Sequence, residues 1–278
     1  MRWRDGYDSH FYFDPLFSGR GLLGASRSGG EVFAVDGNKK EAALRDCLPG
    51  ANCGACGYSG CDGYAKALAE GETERTNLCI PGGDKTAKDL AAILGTEAGD
   101  VVELVAYVAC GGTCDASGRK YDYRGTPSCF SANAAFGGDR FCNFACLGYG
   151  DCTKVCPRDA ISIQGGIARI ESSKCIGCGL CAKTCPNGII HLVKDTTRVV
   201  VKCSNKNKDT DVRKICKSGC IGCGKCEKNC PTGAITVKDN VATIDYEKCT
   251  ACGLCVEVCP VHCLEEGSFL CGSRFSVQ

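Results

Sequence analysis

The chain has 278 residues, a formal charge of +1 and 28 cysteines. A charge so close to zero leaves no basic footprint for nucleic acid, and no run of 18 apolar residues is present to cross a bilayer. The opening "MRWRDGYDSHFYFD" lacks the apolar stretch of a secretory leader. A disulfide scaffold is therefore the weakest reading of the cysteines, which are expected to be reduced ligands.

In chain order, residues 1–40 show no periodicity and are expected to be poorly ordered. "GRGLLG" (19–24) matches G-x-G-x-x-G. Pro15 spoils the strand that a dinucleotide site needs before it, and "SRSGG" spoils the helix needed after it. No nucleotide or flavin site is expected. Residues 41–95 form a first domain around Cys53, Cys56, Cys61 and Cys79. A helix starting near Cys61 puts Ala65, Leu68 and Ala69 on its face. "DKTAKDLAAILG" gives a second helix, with Asp84 as N-cap and Ala87, Leu90, Ala91 and Leu94 on one side. Residues 96–136 read as a connector carrying Cys110, Cys114 and Cys129.

The remainder is a duplication. A shift of 74 residues carries Cys129, Cys142, Cys146, Cys152 and Cys156 onto Cys203, Cys216, Cys220, Cys226 and Cys230. The same shift carries Cys175, Cys178, Cys181 and Cys185 onto Cys249, Cys252, Cys255 and Cys259. Two modules follow, 137–202 and 203–278. Inside each, two cysteine runs flank a β-branched segment: "AISIQGGIARIE" turning at Gly165-Gly166, and "AITVKDNVATID" turning at Asp239-Asn240. Both read as hairpins. "KNKDTDVRK" (206–214), with mixed signs, reads as a solvated connector.

The run C-x2-C-x2-C-x3-C-P is an iron–sulfur spacing in which three thiolates cap one cubane and the fourth reaches its neighbour. A zinc site takes paired cysteines from two knuckles instead. The second module thus predicts the sets Cys220, Cys223, Cys226, Cys259 and Cys249, Cys252, Cys255, Cys230. The first predicts Cys175, Cys178, Cys181, Cys156, and a set with Cys146, Cys152 and Cys185 in which Tyr149 stands at the fourth position. Cys142 is the nearest spare thiol and is expected to complete it. A three-iron or non-cysteine-ligated cluster, or a reach by Cys110, Cys114 or Cys129, are the alternatives. Against Cys142 stands its counterpart Cys216, beside a run that is already complete. With Cys53, Cys56, Cys61 and Cys79, at least five 4Fe-4S clusters are expected, and a sixth involving Cys110, Cys114 and Cys129 is left open. Cys47, Cys263 and Cys271 read as buried small hydrophobes. No side chain is expected to act as acid, base or nucleophile. The fold class is α+β: a small single-cluster domain followed by two tandem ferredoxin-like dicluster modules, organised by cofactors and with few long elements.

"LPGANCGACGYSGCDGYAKALAEGE", joined to these ferredoxin pairs, resembles the B component of Rnf-type ion-translocating electron-transport complexes in the long form. The resemblance runs from about Val32 to Cys263 and includes "CLGYGDCTKVCP" with its Tyr149. It implies a protein that takes electrons from reduced ferredoxin and relays them to membrane partners, for eventual reduction of NAD coupled to ion transport. It also implies a place on the cytoplasmic face of the membrane. Such proteins start with a membrane-spanning helix, where this sequence has "FDPLFSGRGLLGASRSGGE". The start is then truncated or altered, or docking is through partners. The rival reading is a soluble polyferredoxin, or an electron-feeding component of a hydrogenase or dehydrogenase.

Overall fold

The computed structural model describes residues 39–196 and 199–267; the expectations for residues 1–38 and for Cys271 lie outside them. Three helices open the described chain: α1 (Lys39–Asp46), α2 (Cys61–Glu70) and α3 (Gly83–Leu94). Leu44, Leu48, Tyr64, Ala65, Leu68 and Leu90 form their common core, joined by Cys61 and Cys79. Gly71 and Gly95, both left-handed, end α2 and α3. Asp84 is not the N-cap of α3. The turn Ile80–Gly82 runs straight into the helix, so Gly82 takes the cap position. The Asp84 carboxylate instead accepts from Val101 N–H at 3.1 Å.

Next come β1 (Leu104–Val108), α4 (Cys129–Ala134), α5 (Asp151–Lys154), β2 (Ile161–Gln164), β3 (Ile167–Ile170), α6 (Leu180–Thr184) and β4 (Ile190–Lys194). The second module follows with β5 (Val199–Val201), α7 (Asp209–Ile215), α8 (Lys225–Lys228), β6 (Ile235–Lys238), β7 (Val241–Ile244), α9 (Leu254–Glu257) and β8 (Leu264–Glu266). All strands among the described residues pair antiparallel in twos: β1 with β4, β2 with β3, β5 with β8 and β6 with β7. Asp239 and Asn240 both adopt positive φ, the mirror-image turn that suits a two-residue hairpin.

Each module is thus one hairpin plus one closing pair, with the short helices α5, α6 and α8, α9 carrying the cysteine runs. The closing strands come from upstream of their modules. β1 lies in the segment read as a connector, and β5 lies before residue 203 yet pairs with β8. The stretch 206–214 is not simply solvated: most of it folds as α7, which buries Val212 completely.

Candidate iron–sulfur sites

In the opening domain, the loop between α1 and α2 is pinned by Asn52, whose side-chain oxygen accepts the Cys61 N–H at 2.9 Å. The buried Tyr64 hydroxyl donates to the Arg75 carbonyl at 2.6 Å and so holds the returning chain against α2. Cys79 is thereby brought to Cys61, Cys53 and Cys56. Burial, with repulsion from these three added to it, pushes the Cys79 thiol up to about 11.

In the first module, Cys175, Cys178, Cys181 and Cys156 come together. Burial and repulsion from Cys175, Cys178 and Cys156 push Cys181 up to about 12. Backbone N–H groups point at the sulfurs: Ala106 of β1 donates to Cys175 Sγ at 3.4 Å, and Ala160 to Cys156 Sγ at 3.3 Å. Gly177, in this ligand loop, has φ of 67°, and a Cβ there would meet the Leu104 carbonyl at 2.4 Å. Only glycine lets β1 press this closely.

A second hollow is lined by Cys129, Cys146, Cys152 and Cys185, and Cys142 is not among its walls. Burial, then repulsion from Cys146, Cys129 and Cys185, pushes Cys152 up to about 12. Cys129 opens α4, and that helix is tethered to α5 by Asp151. Its carboxylate accepts from Ser128 Oγ at 2.8 Å and from Phe130 N–H at 3.1 Å. Tyr149 is turned to other work. Its hydroxyl donates to the fully buried Asp139 at 2.8 Å and accepts from Arg119 at 3.0 Å, and Arg119 also pairs with Asp139. The phenol oxygen is committed to that network and not to the hollow. Tyr149→Phe should therefore leave iron content unchanged. It should lower stability by about 1–3 kcal/mol, because Asp139 loses a donor inside the protein; iron analysis beside chemical denaturation checks both.

In the second module one hollow is lined by Cys220, Cys223, Cys226 and Cys259, with Cys263 also on its wall. Burial and repulsion from Cys220, Cys223 and Cys259 push Cys226 up to about 11. Cys263 is more than a small hydrophobe. Its N–H donates to Cys259 Sγ at 3.4 Å and its sulfur lies 3.6 Å from that atom. A hydrogen bond from the Cys263 thiol holds the Cys220 thiol down, which in turn pushes Cys263 up. Sequence offered no signal for this, since Cys263 lies outside every spaced run. Cys249, Cys252 and Cys230 surround Cys255, which burial and their repulsion push up. Ala251 there has φ of 59°, where the matching loops have Gly148, Gly177 and Gly222. Ala251→Gly should raise stability by about 1 kcal/mol by removing left-handed strain, read as a higher denaturant midpoint.

Another hollow, at the module junction, is lined by Cys110, Cys142, Cys203 and Cys216. Burial pushes Cys142 up to about 11 and Cys203 up to about 12. Cys114 remains exposed, with Arg140 Nη2 3.8 Å from its sulfur. Cys47 packs at the edge of the opening core.

The donor chemistry favours clusters over single ions. The thiols come as compact runs of three with a distant fourth, whereas a zinc site takes paired cysteines from two knuckles. They stand around hollows, and several already accept N–H bonds of the kind that tune cluster sulfurs.

The fold and these sites define a multicluster iron–sulfur protein: a single-cluster domain followed by tandem dicluster ferredoxin modules. Family models agree, one described as "Putative Fe-S cluster" matching 48–81, two as "4Fe-4S dicluster domain" matching 174–235 and 219–263, and one as "LdpA Fe-S cluster-binding domain" matching 142–196. The chain is 42% identical to the B component of the Na(+)-translocating ferredoxin:NAD(+) oxidoreductase complex of Acetobacterium woodii, over 90% of this chain and 74% of the relative. It is 42% identical to the counterpart in the proton-translocating ferredoxin:NAD(+) oxidoreductase complex of Clostridium ljungdahlii, over 78% and 77%. With the B component of the ion-translocating oxidoreductase complex of Methanosarcina acetivorans it shares 39% identity, over 84% and 89%. The chain belongs to this family of B components, iron–sulfur electron-transfer proteins of ion-translocating oxidoreductase complexes. Among the described residues, no helix is long and apolar enough to cross a membrane.

Proposed function

We propose that this chain accepts electrons from reduced ferredoxin and relays them, one at a time, to membrane-embedded partners in a ferredoxin:NAD oxidoreductase complex. It would sit on the cytoplasmic side of the membrane, held there through partners or an anchor. Five cluster sites carry the relay: Cys53, Cys56, Cys61, Cys79; Cys156, Cys175, Cys178, Cys181; Cys129, Cys146, Cys152, Cys185; Cys220, Cys223, Cys226, Cys259; and Cys230, Cys249, Cys252, Cys255. The domains that hold them would run over 41–95, 137–202 and 203–278, with the closing strand β1 and the ligand Cys129 supplied from the connector 96–136. Bound 4Fe-4S cores supply reversible one-electron chemistry. The chain's own part is to ligate, to shut out water and to aim N–H donors at the sulfurs.

The observation that carries this reading is adjacency. Cys178 lies close enough to Cys53 for their charges to interact, and Lys183 Nζ donates to the Gly54 carbonyl at 3.4 Å. The opening domain is thus in register with the first module, whose own two sets meet through Cys152 and Cys181. Neighbouring cores would stand close enough for an electron to pass between them.

Anaerobic purification of the full chain with iron and sulfide analysis tests this directly. Five sites predict at least about 20 irons with equal sulfide, and a visible absorbance bleached by limiting reduced ferredoxin. A colourless or zinc-dominated protein, or clusters that ferredoxin cannot reduce, would refute it.

A further inference from the structure

We propose that Cys110, Cys142, Cys203 and Cys216 hold one more four-iron cluster, a bridge through which electrons cross between the two dicluster modules. The inference rests on the electron-relay reading above and adds a site and a route to it.

The first argument is symmetry. Cys110 lies two residues beyond the end of β1, and Cys203 two residues beyond the end of β5, the equivalent closing strand. Cys142 and Cys216 are equivalent in the duplication, each four residues before its ligand run. The junction hollow therefore receives the same two thiols from each module, facing each other. The supporting hydrogen bond is duplicated too: Cys146 N–H donates to Cys110 Sγ at 3.4 Å, and Cys220 N–H to Cys203 Sγ at 3.2 Å. Two half-sites of two thiols each make one complete set of four.

The second argument is the lining. Asn205, 2% exposed, donates its side-chain N–H to Cys142 Sγ at 3.4 Å and its backbone N–H to Cys203 Sγ, also at 3.4 Å. Such donors stabilise ligated thiolate sulfur. Two cations accompany them. Arg140, 1% exposed, lies close enough to Cys216 for their charges to interact, and Lys202 lines the hollow and interacts with Cys110. A cubane with four thiolates carries negative charge, which positive side chains inside the fold would offset. Gly112 completes the wall; a Cβ there would lie 3.5 Å from Cys110 Sγ and 3.6 Å from Cys216 Sγ.

The third argument is position. Cys146 and Cys220, which donate to the bridge sulfurs, are themselves the first cysteines of the flanking runs in the two modules. The segments are tied together by Gly111 N–H to the Lys202 carbonyl at 2.7 Å, Ser204 Oγ to the Ala109 carbonyl at 3.0 Å and Lys217 N–H to the Ala116 carbonyl at 2.9 Å. One electron, supplied by the ferredoxin of the proposed function, oxidises the cluster it leaves and reduces the one it enters. No bond forms or breaks.

The test uses the full chain, purified without oxygen, as wild type, Cys203→Ala, the double variant Cys142→Ala/Cys216→Ala, and Asn205→Leu. Wild type should hold about 24 irons, and each cysteine variant about 20, with the EPR signals of the other clusters retained. In those variants limiting reduced ferredoxin should bleach one module's clusters promptly and the other's slowly. Asn205→Leu keeps all four ligands; its iron should stay at the wild-type value while one redox wave moves to lower potential. A wild type with about 20 irons that Cys203→Ala leaves unchanged overturns the bridge while the relay stands. Little or no iron in wild type overturns both. If the cysteine variants lose further clusters or fail to fold, Asn205→Leu decides: all redox waves unmoved means there is no bridge.

Discussion

Cys129→Ala should strip the Tyr149 hollow of its cluster, a loss of about four irons per chain, while the Cys156, Cys175, Cys178, Cys181 set stays loaded. The reason is geometric. Cys129, Cys146, Cys152 and Cys185 line one hollow, and Tyr149, the residue at the vacant position of the run, points its hydroxyl at Asp139. A three-iron core held by the remaining thiols is the partial outcome, a loss of about one iron with a changed EPR signature. Unchanged iron and spectrum would return the fourth position to some other residue. The rescue Cys129→Ala/Tyr149→Cys is the stronger form of the test, because it restores the complete spacing and should recover the lost iron.

The second large effect is on folding. Chelating the iron under oxidising conditions should unfold both modules and leave the opening domain partly helical. In the second module the buried cluster of side chains is Val199, Val201, Ile235, Ala242, Ile244 and Leu264 plus six cysteines. That apolar remainder, spread over two-stranded sheets, is marginal alone. Bound metal supplies on the order of 10 kcal/mol in small metal-organised domains, which exceeds anything this core could replace. The opening domain has Leu44, Leu48, Tyr64, Leu68 and Leu90 beside only two buried cysteines. Hydrogen exchange after iron removal should show β2, β3, β6 and β7 fully exchanging while α2 and α3 retain some protection. Protection retained equally throughout would mean the clusters are passengers.

Much of this is legible in the sequence because the signals are local. The Asp239-Asn240 turn needs two adjacent positive φ values, and the residue pair announces them. The runs Cys220–Cys230 and Cys249–Cys259 are compact, and four of the proposed sets follow from their spacing and that of the upstream cysteines. The fate of Cys142 is not local. A shift of 74 lays Cys129 on Cys203, but the closing strands show Cys110 to be the counterpart of Cys203. The first module carries 19 more residues between the equivalent cysteines (142 − 110 against 216 − 203), and Cys129 lies in that added stretch. An ungapped comparison hides an insertion whose ends happen to match. Asp84 and the 206–214 stretch mislead for a related reason. A cap is decided by the turn that precedes it, and a helix of mixed charges reveals itself only when one residue, Val212, finds a pocket.

The junction hollow has a mechanical side as well. Its sulfurs come from four places along the polypeptide, two on either flank of the joint. A core seated there would act as a rivet as well as a conductor. Oxidative loss of that single inorganic unit would leave the joint to bonds such as Gly111 N–H to the Lys202 carbonyl, so damage at this spot would loosen the halves and not only bleach the colour.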